Sequence, residues 1–370
     1  MGKDGFQWFV GVVEDRNDPK KLGRVRVRCL GYHTEDLTRL PTADLPWAHP
    51  MNPITSATVS GVGQTPLGSV EGTWVVGFFQ DGSDCQQPLI IGTLPGVPTE
   101  LPSKDNNKGF QDAVNANFPK YKGESDVNRL AVNDSDNPHK SITLRKADRE
   151  LNIGRADFNS VELNLANSEA NLTLPADDGT NFSEPETTYA AVYPHNHVYE
   201  TEAGHIKEFD DTPNKERIHE RHSTGTGYEI NEEGTKITRV KKDNYDIISG
   251  DHYAHIKGNN STTVDGGVRV FVNASGEGGG AAPGEATSRI NNYTIEVGEN
   301  ANVNIQVNKG DVNVHTTDGN INMKSGRSIH MEADLGVRMK AKYFSAEIDG
   351  TWDEKVTGNN TKTGKRIDLN

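Results

Sequence analysis

Between residues 248 and 266 one phrase recurs: a β-branched residue, a polar residue and a glycine. It reads Ile248-Ser-Gly250, Ile256-Lys-Gly258 and Val264-Asp-Gly266, with the glycines eight residues apart. The phrase returns with the same spacing as Ile348-Asp-Gly350 and Val356-Thr-Gly358. A fixed short period marks stacked repeats. Eight residues is too few for a pair of helices. It suits one short strand and one turn, with the β-branched residue on the packed face and glycine where the turn requires positive φ. Such a unit cannot bury its own apolar face and must stack on its neighbour. With one apolar position per repeat, a single chain builds only a thin core, whereas several chains wound together share each layer and close one another's strand edges. The pattern predicts an intertwined β-helix or prism over 241–370, with three copies the preferred count.

A second alternation runs through the same region. Val303/Ile305, Val312/Val314, Ile321/Met323, Ile329/Met331 and Val337/Met339 each flank one polar residue, which places both members of a pair on one face. Asn304, Asn313, Asn322, His330 and Arg338 then point outward, and Gly310, Gly319 and Gly326 mark turns between pairs. The glycine-rich stretch from Ser275 to Gly284 breaks the period and reads as a mobile surface loop.

Residues 1–100 carry a different pattern. Phe6–Val13 is an apolar strand, 15–23 a turn punctuated by Pro19 and Gly23, and Arg24–Leu30 an alternating half-buried strand. Segments 69–79 and 88–94 add two strands, and a shorter one near 54–60 completes a count of five, which suits an OB-type barrel. The Arg24, Arg26 and Arg28 side chains share one strand face, read as solvated or as a protein-docking face. Residues 101–190 are poor in pattern: a polar linker from Pro98 to Lys122, a helical turn within 124–131, and strand-like pieces at 142–144, 161–165 and 172–174. The fold class is all-β, an N-terminal OB-fold barrel followed by the repeat needle, with a segment over 191–240 leading into the repeats.

Charge and composition narrow the function. Apolar residues make up only 33%, lean for one large core but suited to narrow repeats. The net charge of −14 argues against nucleic acid as a partner, because that needs a basic face. No run approaches the ~20 apolar residues of a membrane helix, and no secretion signal is visible at the N-terminus. The two cysteines, Cys29 and Cys85, read as reduced, half-buried thiols. His195 and His197, two apart on a strand, share a face. A metal shared at a threefold axis is one use for them, but hydrogen bonding is the default reading for these and for His205, His219, His222, His252 and His255. No cofactor is expected.

The run Trp8-Phe-Val-Gly-Val-Val-Glu-Asp-Arg-Asn-Asp-Pro-Lys-Lys-Leu-Gly-Arg-Val-Arg-Val-Arg28 resembles the opening of the central spike proteins of T-even-type contractile phage tails. Leu45–Ala48, Pro53–Ala57 and Val70–Thr73 continue the likeness, and Tyr193–His205, Glu208–Pro213, Glu216–Ile218 and His222–Ile230 resume it in a phrase shared with type VI secretion spikes. The chain's last residues, 364–370, resemble the end of the family's needle. The resemblance implies a virion protein of the tail baseplate, assembled in the host cytoplasm as a homotrimer. It implies an OB domain against a trimeric hub at the end of the tail tube, a small tip-sharpening protein at the C-terminal end, and transient contact with the host envelope. The best-known member of the family carries a lysozyme domain between the OB domain and the repeats. Residues 101–190 show no helical scaffold for one, and Asp126, Asp148 and Glu162 read as loop charges, so the expectation is a structural protein and not an enzyme. A polysaccharide or peptidoglycan hydrolase would need carboxylates paired across adjacent rungs, which Asp311, Asp318, Glu332 and Asp334 do not offer. A type VI-like secretion spike is the remaining alternative within the same class, and an OB-fold nucleic-acid binder is disfavoured by charge.

Overall fold

A computed structural model describes residues 6–119, 121–133, 187–262, 264, 266–272, 293–299, 301–361 and 363–364. The strand-like pieces at 142–144, 161–165 and 172–174, the Ser275–Gly284 stretch and nearly all of 364–370 lie outside these. The chain divides into two units, residues 1–266 and 267–370. The described residues are almost wholly strand, turn and extended backbone. Their one α-helix, α1 (Arg129–Val132), is a single turn, and no described helix is long and apolar enough to cross a membrane.

In the first unit, β1 (Gln7–Asp15), β2 (Val25–Cys29), β3 (Trp47–Pro50), β4 (Trp74–Phe79) and β5 (Pro88–Thr93) close into a barrel of order β1-β2-β3-β5-β4. Alternation sends Phe9, Val13, Val25, Val27, Cys29, Ala48, Val75, Phe79 and Ile90 into its core. The barrel is the OB-type fold expected, but one strand is placed differently. No strand forms at 54–60. Thr58, Ser60, Gly61 and Gly63 all hold positive φ there, which extended backbone does not allow. The strand that fills the gap is β3, flanked by Pro46 and closed by Pro50, too short to stand out in the sequence.

The connector that follows β5 is irregular but tied down. Gly109 N–H donates to Glu35 O, Leu37 N–H to Asn107 O and Gly96 N–H to the Asp126 carboxylate. It ends in α1, where the Leu130 N–H donates to the capping Asn128 Oδ1 at 2.9 Å. A second sheet follows: β6 (Asn196–Glu200), β7 (Ile206–Asp210), β8 (Arg217–Arg221), β9 (Gly227–Ile230) and β10 (Lys236–Arg239), an antiparallel meander in sequence order. Four left-handed turn residues, Gly204, Asn214, Gly225 and Gly234, reverse the chain between its strands.

From 241 onward the described residues form no strand or helix, and bends fall at Ser249-Gly250, Lys257-Gly258, Gly266, Asp349-Gly350 and Thr357-Gly358. The reading that these glycines supply positive φ is overturned: none of the five lies in the left-handed region, and a Cβ at any of them would meet nothing within 4 Å of its own chain.

Candidate assembly surfaces

On the outer wall of the barrel the arginine strand is not a solvated face. Arg28 and Glu14 are both fully buried, with Arg28 Nε 2.6 Å from Glu14 Oε1 and Nη2 3.1 Å from Oε2. The remaining Arg28 donors reach the carbonyls of Thr34 (2.5 Å) and Leu40 (2.8 Å). Glu14 also accepts from Thr42 Oγ1 and from Phe110 N–H, each at 2.8 Å. One ion pair thus pins two connecting segments over this half of the wall. Arg26 is spent likewise, on the carbonyls of Thr42, Ala43 and Leu45 and on the face of Trp47. Arg24 is held by Asp18, whose carboxyl sits far below its ordinary range, chiefly through that bond. No arginine of this strand is left as a basic patch for nucleic acid. On the other half of the wall, Phe6 and Trp8 stand exposed against the edge of Phe78.

Barrel and meander meet through Arg16. Its guanidinium bonds both oxygens of Glu202 (2.6 and 3.0 Å), and Nε lies 3.4 Å from the buried Glu71.

The meander buries charge where a sheet usually buries apolar side chains. Register sets Glu208, His219 and Glu229 side by side on three strands, with Asp210 opposite Arg217 one step along. Glu208 accepts from Asn196 Nδ2 (2.9 Å) and His219 Nδ1 (2.7 Å), and lies 2.9 Å from Arg217 Nη2. Arg217 Nη1 is 2.9 Å from Glu229. Leu130 and Tyr189 cover this face. The Tyr189 ring lies 4.7 Å under the Arg217 guanidinium, and its hydroxyl donates to Leu130 O at 2.8 Å. His219, expected to hydrogen-bond at the surface or between chains, does hydrogen-bond, but buried in an ion network within its own chain.

His195 and His197 take up different surroundings. His195 N–H donates to Val192 O as the chain turns into β6, and His197 stands on the exposed face, 3.7 Å from Asp211. Among the described residues no three His, Cys, Asp or Glu side chains are grouped to hold a metal ion. Cys29 and Cys85 are both free. Burial pushes the Cys29 thiol up to about 12 and raises that of Cys85 too. The thiolate is the reactive form. The native protein should therefore yield only the half-buried Cys85 to a thiol reagent, and that slowly, with Cys29 released on denaturation. Rapid native labelling of Cys29 would contradict its place in the core.

The repeats expose many apolar side chains. Ile248, Ile256, Val264, Ile348 and Val356 are each about half exposed, at 46–54%, and the paired positions from Val303 to Met339 lie at 52–76%. No strand pairing covers them among the described residues.

A closed OB-type barrel, an ion-clamped meander and a repeat whose apolar positions its own described residues leave exposed characterise the chain. A family model for the Gp5 N-terminal OB domain matches residues 32–171. The chain is 38% identical over 299 residues to "Protein Gp5" of Vibrio phage KVP40, covering 73% of this chain and 66% of that relative. It is 43% identical over 135 residues to "Pre-baseplate central spike protein Gp5" of Enterobacteria phage T4, covering 35% of this chain and 23% of that one. The chain belongs to the Gp5 family of phage baseplate central spike proteins. It spans just under two thirds of the KVP40 relative and about a quarter of the T4 one.

Proposed function

We propose that the protein is the structural central spike of a contractile phage tail, located in the virion baseplate and assembled in the host cytoplasm. The barrel, in residues 1–100, docks on a trimeric hub at the end of the tail tube. Residues 101–190 connect it to the meander segment at 191–240. Residues 241–370 form a homotrimeric β-helix that pierces the host envelope, with its C-terminal end free to seat a small tip protein. It acts by transmitting force, without catalytic turnover, cofactor or metal. The observation that carries this reading is the row of half-exposed β-branched residues at Ile248, Ile256, Val264, Ile348 and Val356. Apolar side chains left this exposed in each repeat mark surfaces that a partner covers, and two further copies would cover them while pairing the backbone.

Sedimentation equilibrium of the purified full-length protein tests this, with boiled and unboiled samples in SDS. The expected species has three times the 40.4 kDa chain mass and survives the detergent unboiled. The double variant Ile256→Asp/Val264→Asp, which places unpaired charges in the shared core, should lose that species. A monomeric wild-type chain would sink the proposal.

A further inference from the structure

Between β3 and β4 the chain runs for twenty residues, 51–70, without a single charged side chain or histidine, in a protein that is 25% charged. This is no slack loop. Val59 and Val62 form a bridge, Ser56 N–H donates to Pro53 O, and the Ser56 hydroxyl accepts from Gln64 N–H at 2.7 Å. Asn52 Nδ2 donates to Gln64 O at 3.0 Å across the base. Asn52, Ser56 and Gln64 bond one another, while Ile54, Val59, Val62 and Leu67 are turned out, Ile54 fully so and the others more than 60% exposed. The bracing also holds Thr58, a β-branched residue, at φ 51° and Ser60 at the same value. Strained backbone of this kind persists where the surroundings over-determine it, and it clusters at binding elements.

We infer that residues 51–70 form a preorganised docking knob that inserts its aliphatic tip into an uncharged, apolar groove on a different protein at the barrel end of the spike. The inference rests on the spike reading above and names the surface that makes the barrel's attachment. A charged groove is excluded as a host, because the knob has no group to pair with a charge buried beneath it. A lipid surface fits poorly: the knob has no aromatic, lysine or arginine side chain to sit at an interface, and a net charge of −14 is repelled by anionic membranes. A second copy of this chain is the other occupant to distinguish. Its barrel exposes apolar side chains of its own, Phe6 and Trp8 among them, and the experiment below separates that occupant from a different protein.

The experiment places p-benzoylphenylalanine at position 59 of the full-length chain, supplied in trans during phage growth, and irradiates purified tails. The expected product is an adduct of this chain with a different tail protein. The triple variant Ile54→Ser/Val59→Ser/Val62→Ser should keep the melting temperature and the oligomeric mass of the wild type, yet enter tails at least tenfold less. Adducts only between copies of the chain, adducts with lipid, no adduct in tails that contain the chain, or normal incorporation of the triple variant would each overturn the inference while leaving the spike reading in place. Absence of the wild-type chain from tails would overturn both.

Discussion

Replacing Arg28 with alanine should destabilise the barrel by about 3–5 kcal/mol, the usual cost of leaving one charge of a buried pair without its partner. The Glu14 carboxylate would stay fully buried, keeping its bonds from Thr42 and Phe110 but facing a cavity where the guanidinium was. The carbonyls of Thr34 and Leu40 would lose their donors at the same time. Denaturant unfolding followed through Trp8, Trp47 and Trp74 reads the effect, and Glu14→Ala should cost a similar amount. Gly109→Ala approaches the same pair from outside, because its Cβ would collide with the Arg28 side chain. A loss under about 1 kcal/mol for Arg28→Ala would mean that the pair is reached by water. Replacing both members by apolar residues should cost less than either single change, since no lone charge remains.

The second large effect is a dependence on acid. Burial pushes the Glu208 carboxyl up, but the Arg217 charge beside it, with His219 and Asn196, outweighs burial and holds it down at about 2. A carboxyl lowered in the folded state binds its proton more readily in the unfolded chain, where its value is near 4.5. The stability it contributes is therefore present above that value and is lost as pH falls from about 4.5 towards 2. The loss over this window is on the order of 3 kcal/mol. Arg217→Ala should remove that contribution at neutral pH by leaving Glu208 and Glu229 together without their shared cation. The pH slope of this variant should flatten or reverse. Unfolding free energies of wild type and variant at pH 7, 4.5 and 3 check it, and parallel curves would show that Arg217 does not set the Glu208 proton affinity.

The barrel was largely legible in the sequence because four of its strands, β1, β2, β4 and β5, follow the rule that alternate residues enter an apolar core. β3 was hidden by its four-residue length and its prolines. The meander was hidden for a deeper reason. Its inward positions include Glu208, Asp210, Arg217, His219, Arg221 and Glu229, while Tyr199, Phe209 and Ile218 lie on the exposed face, so its alternation does not mark the buried face by apolar residues. The signal that was available is the spacing of its turns, with Gly204, Asn214, Gly225 and Gly234 recurring about every ten residues, as short antiparallel strands require. The arginine strand misled for a related reason: an alternating Arg-Val-Arg-Val-Arg run looks solvated until Glu14 and the connector are placed over it. The repeat period was plain, but the role of its glycines was not, since their φ values are ordinary and their own chain leaves them open.

The hydrogen bond from the Tyr189 hydroxyl to the Leu130 carbonyl brings together two points far apart in the sequence, where the chain leaves the connector and where it returns to the meander. Asn196 donates to the same carbonyl at 3.0 Å, so departure and return are anchored on one spot. For the history of such a protein, this makes the interval between them a place where length is cheap. In general, once two points of a chain are fixed side by side, each doubling of a flexible closure between them costs only about 0.6 kcal/mol. A change of length that leaves Leu130, Tyr189 and Asn196 in place keeps this anchor intact.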